Sequence, residues 1–120
     1  MAGESHDLNW TLPDSLRELA EEGTQELVNE VLSVFRTDSA ERLALLRSAL
    51  EADDRQELRS QAHALKGSAA QVGAVAMAET CQEIETLAKE GNLPGLAVLV
   101  ARAEKQFVQV CGVMRRQYGE

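Results

Sequence analysis

The strongest constraint on this chain is a rhythm. Val28, Leu32, Phe35, Ser39, Leu43, Leu46 and Leu50 follow one another at steps of 4, 3, 4, 4, 3 and 4. Such steps align side chains along one face of a helix with 3.6 residues per turn. The pattern runs unbroken through Thr37, Asp38 and Ser39, whose own propensities oppose a helix. It predicts one long helix over about 24–52, roughly 43 Å at 1.5 Å per residue. A helix with a single apolar stripe must bury it against other elements.

The rest of the chain supplies them. Pro13 suits a helix start, and Leu12, Leu16 and Leu19 give a short amphipathic helix that ends before Gly23. Thr24 is the expected N-cap of the long helix. Asp53 or Asp54 can cap a third helix, which runs to about Val72 with Gly73 just past its end. A fourth covers about 75–90, with Met77, Cys81, Ile84 and Ala88 on one face, and stops at Gly91-Asn92. Pro94 opens the last, whose stripe is Leu96, Leu99, Ala103, Phe107, Val110 and Met114. Four long helices with short connections predict an all-α fold, an antiparallel up-down-up-down four-helix bundle. The short extra N-terminal helix would cap one end. Residues 1–9 read as a flexible tail and 10–120 as one domain.

Composition narrows the function. With 120 residues there is room for one domain, and only four aromatic residues argue against a sheet. A net charge of −8 excludes the basic footprint of a nucleic-acid binder. The N-terminus lacks the apolar core of a secretory signal, and the longest apolar run, Leu93 to Ala101, is too short to span a bilayer. Cys81 and Cys111 form no CxxC pair and read as free core thiols in a cytoplasmic protein. Their register in the last two helices places them about 10 Å apart along the axis, beyond disulfide reach. With His6 and His63 they make no zinc spacing, and no phosphate-binding or nucleophile-elbow motif is present. Any chemistry here is spare, or borrowed from a partner.

The third helix is the specific one. Leu58, Ala62, Leu65, Ala69 and Val72 form its core stripe, and His63 lies about 140° from the stripe's centre, facing solvent. Arg59, Lys66 and Gly67 share that outer face one turn before or after His63, and Ala70 lies on it a turn further on. Taken singly, each has a bland explanation: a surface histidine, a solvated lysine, a tolerated glycine. Gly67 resists it, because a mid-helix glycine costs about 1 kcal/mol relative to alanine and Gly73 already serves the helix end. A missing side chain one turn after an exposed histidine leaves open space over the imidazole. This suits a histidine that another protein must approach closely.

The run Ala62-His63-Ala64-Leu65-Lys66-Gly67-Ser68-Ala69, followed by Gly73-Ala74, resembles the signature of histidine-containing phosphotransfer (HPt) domains. That resemblance implies a four-helix bundle with an added N-terminal helix, and a role in multistep two-component phosphorelays. His63 would accept a phosphoryl group from the aspartyl phosphate of a receiver domain, belonging to a hybrid histidine kinase. It would pass the group to an aspartate of a response regulator. Such a chain is a phosphohistidine carrier with no ATP-binding machinery of its own. It needs no cofactor, the Mg²⁺ being expected on the receiver. Lys66, with Arg59, would offset the charge of the transferred group. Gly67 and Ala70 would give the receiver clearance, and Ser68 would add a hydrogen bond. The family often carries Gln or Glu on the next helix to hold the imidazole, and the position 22 residues after His63 is Glu85. From spacing alone Glu85 is equally one of four solvated acids on its helix. If it accepts the Nδ1–H of His63, Nε2 is left free as the nucleophile.

Other readings stand beside this one. The chain could be a non-catalytic helical adaptor or oligomerisation module, or an HPt-like domain cut from a larger hybrid or chemotaxis-type kinase. A kinase dimerisation helix fits less well, because Ala64 follows His63 where such kinases place an acid. A start at Met1 with a polar tail favours a free-standing protein, and the bundle buries its apolar stripes as a monomer. The charge is also uneven. Residues 54–72, the His helix and its cap, carry Arg55, Arg59 and Lys66 against Asp54 and Glu57, a slightly cationic strip on an acidic bundle.

Overall fold

The computed structural model describes residues 10–21, 23 and 25–118, and all regular structure among them is helical. The described residues form five helices: α1 (Asp14–Glu21), α2 (Gln25–Glu51), α3 (Arg55–Gln71), α4 (Val75–Glu90) and α5 (Leu93–Tyr118). The expected tail at 1–9 and the expected cap Thr24 lie outside the described residues. α2 continues through Thr37, Asp38 and Ser39 without a break. Arg42 Nε holds Asp38 Oδ2 at 3.0 Å across one turn, which occupies the carboxylate that would otherwise compete for backbone N–H groups.

Helix ends follow local chemistry. Asp54, not Asp53, caps α3 by accepting from the Glu57 N–H at 3.1 Å. Asp53 instead takes the left-handed conformation just past α2, at φ 52°, a site the short polar side chain of aspartate tolerates. Beyond α3, Gly73 has φ 80°. The Ala74 N–H reaches the Ala69 carbonyl at 2.8 Å and the Gly73 N–H reaches Ala70 at 3.1 Å, the paired bonds of a Schellman end. α5 starts one residue before Pro94, capped by Asn92, whose Oδ1 accepts from the Gly95 N–H at 3.0 Å.

α2 packs on α3, α3 on α4, α4 on α5, and α5 returns to α2, closing a ring around one core. Connections of two or three residues join the neighbours. The pairs His63 with Glu85 and Lys66 with Gln82 run in opposite order along α3 and α4, so these two helices are antiparallel. The α3 stripe of Leu58, Ala62, Leu65, Ala69 and Val72 is buried throughout, as are Met77, Cys81, Ile84 and Ala88 of α4. In α2 the buried place at the C-terminal end belongs to Ala49, with Leu50 only partly covered beside the turn. Ser39 is fully buried in the α2 stripe, its hydroxyl without a partner among the described residues. In α5, Phe107 is partly buried, set against Phe35 with ring centroids 5.9 Å apart. Arg47 ties α2 to α5 through a forked pair with Glu104 at 2.6 and 3.0 Å.

The N-terminal segment closes one end of the ring. Trp10 is buried there, donating from Nε1 to the Val72 carbonyl at 2.6 Å, with the ring of Tyr118 edge-on at 6.0 Å. Pro13 lies over the same turn, so a Cβ on Gly73 would stand 2.9 Å from its Cγ. The segment therefore locks the C-terminal end of the His helix, ten residues beyond His63 in the chain.

Candidate functional site

His63 stands midway along α3, its side chain 69% exposed. The core stripe pins the helix by its other face, so the imidazole is held outward by residues that do not touch it. Its Nδ1 lies 3.1 Å from Glu85 Oε2 on α4. The Glu85 carboxylate is mostly covered. Burial pushes its pKa up, but hydrogen bonds from Lys66 and His63, together with their charges, more than offset this and leave it below the ordinary carboxylate value. Glu85 is therefore ionised at neutral pH and can only accept. It follows that Nδ1 donates, and in the neutral ring the lone pair then sits on Nε2, the nitrogen turned away from α4.

Lys66, one turn further along α3, does not extend into solvent. Its ammonium donates to Glu85 Oε1 at 3.0 Å and to Gln82 Oε1 at 2.7 Å. Glu85 thus bridges two residues of the His helix, with His63 on one oxygen and Lys66 on the other. Sequence reading did not single out Gln82, yet the signal was there. In an antiparallel pair that sets 63 against 85, position 66 falls against 82.

Arg59 lines a shallow recess with Gln56, Ser60, His63 and Glu85, and makes no ion pair among the described residues. A neighbouring recess runs from Arg59 past Thr86 to Lys89. On the other side, no atom of another element among the described residues lies within 4 Å of where a Cβ would stand on Gly67, and Ala70 is exposed. The ground around Nε2 is therefore low beyond the histidine and cationic before it. Ser68 falls elsewhere, in the wall of a groove that α3 forms with Val31, Val34 and Phe35 of α2. Of the seven residues singled out from the sequence, the structure brings His63, Lys66, Glu85, Arg59, Gly67 and Ala70 to one face and leaves Ser68 off it.

The arrangement offers one exposed nucleophilic nitrogen with a fixed tautomer, a cation beside it that is unpaired among the described residues, and room for a large partner. It contains no ordered set of donors for a metal: no group of three or more His, Cys, Asp or Glu is found among the described residues. Both cysteines are buried and unpaired, with burial pushing the Cys81 thiol up to about 12 and the Cys111 thiol upward too. They are inert core residues at neutral pH. No helix among the described residues is long and apolar enough to cross a membrane.

Comparison with known proteins agrees with this geometry. The sequence matches the family model of the Hpt domain over residues 30–114. Among solved structures it is similar to histidine-containing phosphotransfer protein B from Pseudomonas aeruginosa PAO1, with 34% identity and a TM-score of 0.79. That match covers 89% of this chain and 93% of the other. No curated protein gives a significant match.

Proposed function

The chain belongs to the Hpt domain family, the histidine phosphotransfer modules of phosphorelay signalling, and we propose that His63 is its phosphoryl acceptor. The carrying observation is the bond between His63 Nδ1 and Glu85 Oε2, which leaves Nε2 as a solvent-facing nucleophile beside the open ground at Gly67. Family members work with receiver domains, and the donor proposed here is the receiver of a hybrid histidine kinase, with a response regulator as acceptor, in the cytoplasm. The chain would act as a single copy, since the ring of four helices buries its own stripes.

In the forward step the Nε2 lone pair attacks the phosphorus of a receiver's aspartyl phosphate. The N–P bond forms as the P–O bond to the aspartate breaks, and the aspartate leaves as a carboxylate. The ring keeps its Nδ1 proton, donated to Glu85, so the positive charge gained by the ring lies between the phosphoryl group and a carboxylate. Delivery to the next receiver is the same step reversed. Transfer of this kind asks chiefly for positioning and charge stabilisation. The receiver's Mg²⁺ would bring most of the counter-charge, while this chain brings an oriented imidazole, Arg59 beside it and clearance at Gly67 and Ala70.

The test is phosphotransfer from a phosphorylated receiver domain to wild type and to His63→Gln. An acid-labile, base-stable label on the wild type and none on the variant is expected. A variant that labels as well as wild type would remove His63 from the mechanism.

A further inference from the structure

A carboxylate next to a phosphoryl acceptor creates an electrostatic problem. Glu85 fixes the tautomer of His63 through Oε2, but its charge then lies little more than a ring's width from the nitrogen that would receive a dianionic group. That separation falls inside the screening length of about 8 Å at physiological salt, and the mostly covered carboxylate is screened less still. A neutral amide could accept the same Nδ1 proton without the repulsion. This chain uses the charged group, so something must cancel it.

Lys66 occupies the position to do so. Its ammonium is bonded to Glu85 Oε1, the oxygen that does not face the ring, and to Gln82 Oε1. Both acceptors come from α4 side chains one turn apart, so two fixed points hold the cation on the carboxylate. Two of its three N–H donors are committed there, so its place is set by α4 and not by the ring. Arg59 is the cation that shares a recess with the ring and makes no ion pair among the described residues.

We propose, taking His63 as the phosphoryl acceptor, that Lys66 acts through Glu85 and not through contact with the phosphoryl group. It cancels the carboxylate's charge and holds Oε2 against Nδ1, and Gln82 keeps Lys66 in that place. Lys66 and Gln82 are then positioning residues, and their effect on transfer depends on the acid at position 85.

Phosphoramidate is the suitable probe, because a small donor removes receiver docking from the measurement. Its P–N bond breaks, ammonia leaves, and the phosphorus becomes bonded to Nε2. Labelling rates are compared for wild type, Lys66→Met, Glu85→Gln and the double variant, each at the plateau of its pH profile and with folding verified by circular dichroism. Lys66→Met is expected to slow labelling about tenfold beside Glu85, and less than about twofold beside Glu85→Gln. Lys66→Arg, which keeps the cation, should recover most of the loss. Equal losses in the two backgrounds would overturn the proposal, since Lys66 would then act on the phosphoryl group itself; so would no loss in either. Gln82→Met should cost about threefold with Lys66 present and nothing further in Lys66→Met. An equal cost in both would remove Gln82 from this role. His63→Gln is run alongside, and label on that variant would refute the acceptor assignment, an outcome distinct from uncoupled Lys66 and Glu85.

Discussion

Gly67 shows how a single residue can expose function in a sequence. Its conformation is helical and needs no glycine, nothing fills the space a Cβ would take, and the cost relative to alanine is about 1 kcal/mol. Gly67→Gln should therefore raise stability, by up to about 1 kcal/mol in urea denaturation. It should also slow transfer from a receiver on the order of tenfold to 100-fold, because the new side chain displaces the partner from Nε2. A stabilised variant that accepts phosphoryl groups from a receiver at the wild-type rate would show that the clearance has no purpose. The neighbouring Ser68 illustrates the opposite case. Its place in the signature drew attention, but five residues of helix turn it about 140° away from His63 and into the α2–α3 groove.

At the scale of elements, the α3–α4 pair is a clamp of side chains that reach across two antiparallel helices. Its core half was legible in the sequence, because apolar residues at 3.6-residue spacing have only one face to bury. The polar half was legible in part. The contact between Glu85 and His63 followed from spacing and resemblance, whereas Lys66 was expected to reach for the transferred group and is found on Glu85 and Gln82. A long flexible cation takes the nearest paired acceptors, and only the register of two helices shows which those are. The clamp also has a pH signature. The folded-state pKa of Glu85 lies below its ordinary 4.5, so its contribution is fully present above that value and is lost as pH falls through the lower one. Wild type should exceed Glu85→Gln by on the order of 1 kcal/mol at neutral pH. The difference should shrink in denaturation midpoints as pH falls from neutral through and below the ordinary 4.5. A gap that stays constant over this range would mean that the carboxylate's charge does not hold the helices together.

For the whole molecule, five helices and their order could be read from apolar steps, Pro and Gly, with limits close to those observed. What could not be read was how the segment before α1 returns to the α3–α4 turn. That contact joins Trp10 to Val72 over 62 positions of chain, and no local pattern encodes it. Gly73 is thus required twice over, by the left-handed φ of the helix end and by the proximity of Pro13 in this closure. Trp10→Phe keeps most of the apolar surface but leaves the Val72 carbonyl without its donor. It should cost about 1–3 kcal/mol in thermal or urea unfolding. An unchanged midpoint would show that water replaces the indole there at no loss.

The central claim is that Nε2 of His63 carries the phosphoryl group while Nδ1 stays bonded to Glu85. Nuclear magnetic resonance of the phosphorylated protein, with ¹⁵N-labelled histidine and ³¹P detection, reads the bonded nitrogen directly through its coupling to phosphorus. The expected result is one phosphorus coupled to Nε2 of His63, with the Nδ1 proton retained. Phosphorus on Nδ1, or on any residue other than His63, would contradict it.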